Sequence, residues 1–192
     1  MMGQPITAAD KAQWREWARA ERESLDLATI STAVVEGLVA WPGLRAARTV
    51  LTYYPLSDEV NLTPLLDAIP DVAFLSTRTP DQGGALTVHD LGGPLEVHRF
   101  GFLQPHASAP ERAPSDIDVA LLPGLAFDLW GVRLGRGAGY YDELLSRIGR
   151  RTVRIGVVPA ALVVDRLPRD DHDEKIAFLA TEEGVVGVAG GP

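Results

Sequence analysis

Four short apolar runs, separated by stretches of helical character, restrict what this sequence can fold into. Residues 49–54, 72–75, 117–122 and 153–157 are mostly apolar, aromatic or β-branched, and the first is stopped by Pro55. Runs of this length without polar alternation read as strands buried on both faces. Strands of that kind need helices above and below them. The spacing therefore predicts an α/β fold, a three-layer sandwich with a mainly parallel central sheet.

The segments between the strands fill in that plan. Residues 7–28 read as a helix capped by Thr7, with Asp10 three residues on as capping-box partner. A second helix over 29–40 ends at Trp41-Pro42-Gly43, and a third over 61–69 starts from Asn61 or Thr63 with Pro64 in its first turn. Segments 85–89 and 95–99 are expected to pair as a hairpin. Residues 162–164 read as a weaker strand, 140–148 as a helix and 173–179 as a short helix-like piece. The tail 184–192 is expected to fray. Nothing resembles an internal repeat or a linker, so a single domain over 1–192 is expected.

Composition narrows the chemistry. With 192 residues, 46% of them hydrophobic, the chain can bury a core. It has no cysteine, which excludes disulfides, thiolate metal clusters and a cysteine nucleophile. No secretory leader and no apolar run long enough to span a bilayer is evident, so the expected address is the cytoplasm. A net charge of -8 argues against nucleic acid and anionic membrane as partners.

That average hides a local reversal. Arg133, Arg136, Arg147, Arg150, Arg151 and Arg154 crowd one stretch that holds only Asp142 and Glu143 as acids. On a helical wheel Lys11, Arg15 and Arg22 fall within about 40° of one another, a cationic stripe that calls for an anion or for acidic neighbours. Lys11 is one of only two lysines, the other being Lys175.

The densest chemical signal runs from Pro123 to Asp142. It follows a strand, passes Gly135, Gly137 and Gly139, and opens a helix. Glycines there allow a tight path with exposed amide N–H groups, and the following helix adds its positive end. With Arg133 and Arg136 beside it, this is a phosphate cradle, and Asp142 is placed for a divalent ion bridging phosphates. The turn lacks the Lys-Ser/Thr of a P-loop and sits at the wrong strand for a dinucleotide site. The fold is thus expected to be Rossmann-like without the dinucleotide fingerprint.

Leu122-Pro-Gly-Leu-Ala-Phe-Asp128 and Gly131-Val-Arg-Leu-Gly-Arg-Gly-Ala-Gly-Tyr-Tyr-Asp142 resemble the signature of the 5-formyltetrahydrofolate cyclo-ligase family. Lys11, Arg15 and Arg22 are similar to its opening helix. Tyr54-Pro55 with Glu59-Val60 resembles its substrate-side loop, and Leu167-Pro168, His172-Asp173 and Thr181-Glu182 its C-terminal block. The resemblance spans nearly the whole chain.

It implies ATP- and Mg2+-dependent cyclisation of 5-formyltetrahydrofolate to 5,10-methenyltetrahydrofolate, with ADP and phosphate released. ATP phosphorylates the formyl oxygen, N10 attacks, and phosphate leaves as the ring closes. By position, Lys11, Arg15, Arg133, Leu134, Gly135, Arg136, Gly137, Ala138, Gly139, Tyr140 and Tyr141 would bind ATP. Arg133, Arg136 and Glu59 would act in catalysis, Tyr54 and Glu59 would contact the reduced folate, and Asp142 and Asp173 would bind the metal. A monomer is expected.

The chain departs from the pattern at Gln104, where Glu before Pro105 is expected, at Ala138, and around Pro159 and Leu162. Val163-Val164-Asp165 resembles an actinobacterial-type branch. Two other readings stay open: an ATP-dependent enzyme for another N-formyl or amide substrate, and a catalytically weak nucleotide- or folate-binding protein.

Overall fold

The computed structural model describes residues 3–5, 10–80, 84–99, 101–170 and 173–189. Helix α1 (Lys11–Arg22) begins where the Asp10 carboxylate accepts from the Gln13 amide while the Gln13 side chain accepts from the Asp10 amide. The expected cap Thr7 lies outside the described residues, and Asp10, assigned as its partner, is itself the cap. The helix does not run to 28. Asp26 accepts from the amide and hydroxyl of Thr29 and starts α2 (Leu27–Ala40) afresh, because a short polar side chain satisfies a new helix end better than it suits a helix interior.

After α3 (Pro42–Arg45) the chain enters β1 (Thr49–Thr52). Helix α4 (Leu65–Ala68) is a single turn, since Asn61 accepts from the Thr63 amide and hydroxyl in a turn ahead of it. Strand β2 (Ala73–Arg78) is followed by β3 (Thr87–Asp90), β4 (Leu95–Val97), β5 (Leu103–Pro105) and β6 (Glu111–Arg112). Next come β7 (Val119–Pro123), β8 (Ala126–Asp128), β9 (Arg133–Leu134) and α5 (Tyr140–Arg147). Strands β10 (Val153–Val157), β11 (Val163–Val164), β12 (Phe178–Thr181) and β13 (Gly184–Gly187) complete the chain.

Among the described residues one sheet has eight strands in the order β13-β12-β10-β7-β1-β2-β3-β6. The five from β12 to β2 are parallel, and β13, β3 and β6 extend it antiparallel. Alternate side chains serve opposite cores. Leu51, Leu75, Ala120 and Leu122 pack with Trp14, Trp17 and Leu144 on one face, while Val50, Phe74, Val119 and Leu121 pack with Val34, Leu38 and Leu44 on the other. Each fully buried leucine contributes about 1.5–3 kcal/mol by its removal from water. This is the three-layer, mainly parallel arrangement expected.

Three further expectations fail. Segments 85–89 and 95–99 do not pair with each other: β3 joins β2 and β6, and β4 joins β5. Val88 and His89 are both buried, so β3 is covered on both faces within the large sheet, whereas β4 is largely exposed. Residues 173–179 form no helix. Phe178 and Leu179 instead pair with Ile155 and Gly156, because an open edge of β10 takes an apolar strand. The tail does not fray from 184: β13 folds back on β12 through Gly184 at φ +123°, and residues 190–192 lie outside the described set.

Candidate active site

The chain order reverses across the sheet at β1, with β2 on one side and β7 on the other. Parallel sheets take ligands beyond the carboxyl ends of their strands at such a point. There Tyr53, Tyr54, Leu56 and Glu59 leave β1, Ser76, Thr77 and Thr79 come from the end of β2, and Pro123 and Gly124 from β7, around a cavity of ≈ 620 Å³. Helix α1 adds Lys11 and Arg15, and the β9–α5 turn adds residues 133–142. Phe102 and Leu103 come from the β4–β5 hairpin, and Asp170 and Asp173 from the segment before β12. Every site residue singled out from the sequence lines this one cavity.

The glycine-rich turn has the form a phosphate cradle needs. Gly137 and Gly139 hold φ of +108° and +73°, and Gly139 begins α5 with no side chain capping its amides. The Arg15 Nε donates to the Gly135 carbonyl at 3.0 Å and fixes the turn against α1.

Cations around the cavity are balanced by carboxylates in the same wall. Lys11 Nζ lies 2.7 Å from Asp170 and 2.6 Å from Asp173. Burial pulls its ammonium down, but the two carboxylates outweigh burial and hold its pKa above the ordinary value. Arg133, almost wholly buried, donates to Asp142 Oδ1 at 2.7 Å and lies over the Tyr141 ring, and its Nε is left without a partner. Arg136 reaches Asp58 at 2.5 Å and Glu59 Oε1 at 3.2 Å. Glu59 Oε2 accepts from the Leu56 amide and closes the loop after β1.

Three tyrosines stay neutral around these charges. Burial raises Tyr141 to about 12, raises Tyr53 well above its ordinary value, and raises Tyr54.

Arg22 breaks from the stripe it forms on a wheel. It is 4% exposed and donates to the carbonyls of Asp58, Gly124 and Leu125, tying the loop after β1 to the β7–β8 turn. It is a structural tie, not a phosphate ligand.

A family model for the 5-formyltetrahydrofolate cyclo-ligase family matches residues 9–182. The chain belongs to that family. A 5-formyltetrahydrofolate cyclo-ligase of Mycolicibacterium smegmatis is 31% identical, with 95% of this chain and all of that protein aligned. The Escherichia coli cyclo-ligase is 25% identical over 77% of this chain and 85% of its own. The solution structure of Aquifex aeolicus 5,10-methenyltetrahydrofolate synthetase superposes with TM-score 0.80 at 31% identity, covering 95% of this chain and 94% of that one. The cyclo-ligase reaction, ATP-dependent cyclisation of 5-formyltetrahydrofolate, is the activity of this chain.

Within the cyclo-ligase site, sequence reasoning missed Asp170, Thr77, Thr79, Phe102 and Leu103. Asp170 stands three residues before Asp173 in an acidic run, a signal that was present. The others carry no charge and are brought in only by strand pairing. Gln104 does not line the cavity; it is buried, and its amide donates to Glu96 Oε1 at 2.9 Å. A carboxylate, Glu96, stands opposite it on β4 and likewise does not line the cavity. Leu162 is core and Pro159 precedes a short 3-10 turn, both away from the cavity.

The residues present fit ATP: open amides at the start of α5 and a partnerless Arg133 Nε are donors suited to phosphate. Among the described residues no three acidic or imidazole groups converge on a metal position. Asp142 and Asp173 each commit one oxygen to a cation and keep the other. Magnesium commonly takes one or two carboxylates and completes its shell with phosphate and water, so the uncommitted oxygen of either suits a phosphate-bound ion.

Proposed function

We propose that the two ends of the cavity divide the two substrates of this cyclisation. The nucleotide lies against α1 and the β9–α5 turn, and the reduced folate lies against Tyr54 and Glu59. The observation carrying this reading is that Lys11, Arg15, Arg133 and the uncapped start of α5 share one cavity with Tyr54 and Glu59. ATP supplies the phosphoryl group that turns the formyl oxygen into a leaving group.

The chain's residues align and neutralise. Lys11, Arg133 and the amides of residues 135–141 hold phosphate charge. Arg136 stands between that charge and Glu59, and Glu59 orients the pterin and formyl group. Tyr141 and Leu134 exclude water from the activated oxygen.

Lys11 and Arg133 are each already held by a carboxylate, so an incoming polyphosphate competes with it. Arg133 would leave Asp142, and Lys11 would leave Asp173. The freed carboxylates are the groups proposed to hold Mg2+. Metal and nucleotide are therefore expected to bind together.

The site is completed by residues of one chain, which favours a monomeric, single-domain enzyme. Dependence on ATP favours the cytoplasm. No helix among the described residues is long and apolar enough to cross a membrane.

The test is near-ultraviolet absorbance of 5-formyltetrahydrofolate with MgATP and protein. Growth of the methenyl chromophore that needs ATP is expected. Folded protein that binds ATP and forms none would leave a binding protein or another N-formyl substrate.

A further inference from the structure

The β4–β5 hairpin presents two unlike faces. Leu95, Val97 and Leu103 are exposed on one. On the other, Glu96 and Gln104 stand opposite each other in the ladder and face the end of β2. Gln104 is 1% exposed. Its Oε1 accepts from the Thr79 amide at 3.0 Å, and its Nε2 donates to Glu96 Oε1 at 2.9 Å. The same Glu96 oxygen accepts from Arg78 at 2.7 Å. Arg78 and Thr79 are consecutive, so the four residues close a ring between hairpin and sheet.

The ring sets a cavity wall. Thr79 lines the cavity at the end of β2, and Phe102 and Leu103 line it from the hairpin. This wall carries no charge. It suits the flat, apolar part of a reduced folate and not a phosphate.

We propose that Gln104 is a positioning residue for the folate half of the cavity, latching the hairpin to β2 through Thr79 and Glu96. The inference rests on the folate assignment made above. An amide suits this position because it accepts from a backbone N–H and donates to a carboxylate at once. A carboxylate would satisfy Thr79 but confront Glu96 with like charge. An apolar side chain would leave the Thr79 amide and one Glu96 bond unmet.

The ionisable groups facing Glu96 are Arg78 from β2 and His106, whose Nε2 is 3.8 Å away just after β5. Glu96 is held below the ordinary carboxylate range, first by the Gln104 hydrogen bond and then by Arg78 and His106. Near neutral pH it is an anion, and a second carboxylate beside it would be opposed.

The test compares Gln104→Glu, Gln104→Met and the exchanged pair Glu96→Gln/Gln104→Glu with the parent enzyme. Calorimetric Kd for 5-formyltetrahydrofolate and for MgATP is read from pH 6 to 8.5, with hydrogen exchange at the Thr79 amide. Gln104→Glu is expected to weaken folate binding about tenfold at pH 8, the scale of one lost charge-assisted hydrogen bond. The loss should shrink toward pH 6, as proton uptake relieves the repulsion between the facing carboxyls. Gln104→Met should weaken folate binding without that pH slope. The exchanged pair should restore it, and MgATP binding should stay within about twofold throughout.

Unchanged Thr79 exchange in Gln104→Met would overturn the latch. Faster exchange with unchanged folate Kd would overturn its role at the site, as would equal losses for folate and MgATP. A parent enzyme that binds no folate would remove the folate assignment itself, a result distinct from these.

Discussion

Lys11 and Arg22 share one face of α1 and have opposite fates. Lys11 meets Asp170 and Asp173 at the cavity, whereas Arg22 is sunk among three carbonyls. Lys11→Ala is expected to weaken MgATP binding at least tenfold in a nucleotide titration. Its partly exposed pairs should cost stability only about 0.5–1 kcal/mol in denaturant unfolding. Arg22→Ala should reverse the order. Stripping a buried donor from three carbonyls costs about 2–4 kcal/mol, read as a lower Tm, with little direct effect on ATP. A wheel gives the angle of a side chain and not the length of chain folded over it. The stripe was therefore legible, and the burial of its third member was not, since that depends on the loop at Asp58 and the turn at Gly124. Glu59 was legible only through the family resemblance, because an isolated carboxylate carries no signal of its own, whereas Asp142 was marked by its place after the glycine turn.

Among the elements, the β9–α5 turn was readable from sequence because its glycines answer a local need. Gly139 has φ +73° and nothing within 4 Å of an added Cβ, so Gly139→Ala is penalised by backbone conformation alone. The cost is about 1–2 kcal/mol. It is expected to appear as weaker MgATP binding together with a modestly lower Tm. An unchanged nucleotide Kd would separate the turn's shape from its proposed role. The central strands were readable for the same reason, since their apolar runs announce burial on both faces. Strands β12 and β13 were not. Asp173 to Leu179 has local helix character, and what decides its conformation is the free edge of β10, a partner distant in sequence. The β3 and β4 pairing was missed likewise, as the two segments are near neighbours whose partners lie elsewhere.

The whole molecule is built to keep several groups protonated. Tyr141 titrates at about 12, and Tyr53 and Lys11 are also raised above their ordinary values. A group with a raised folded-state pKa gives stability that is full below its unfolded value and lost as pH rises through the folded one. Unfolding free energy is thus expected to fall steadily from about pH 10 to 12, measured by urea titration. Tyr141→Phe should flatten that fall, while an identical slope would move its origin to Tyr53 and Lys11. Asp142→Asn tests the other end of the design: MgATP binding should lose its dependence on magnesium, and a retained dependence would place the ion elsewhere.

Lys11 and its two carboxylate partners are separated by 159 and 162 residues. During synthesis α1 emerges well before the groups that balance its ammonium. A nascent chain can assemble β1, β2 and β7 well before then, with its glycine turn already made. Lys11 meets those carboxylates only when the segment before β12 arrives, so this wall of the cavity is the last of its parts to be assembled.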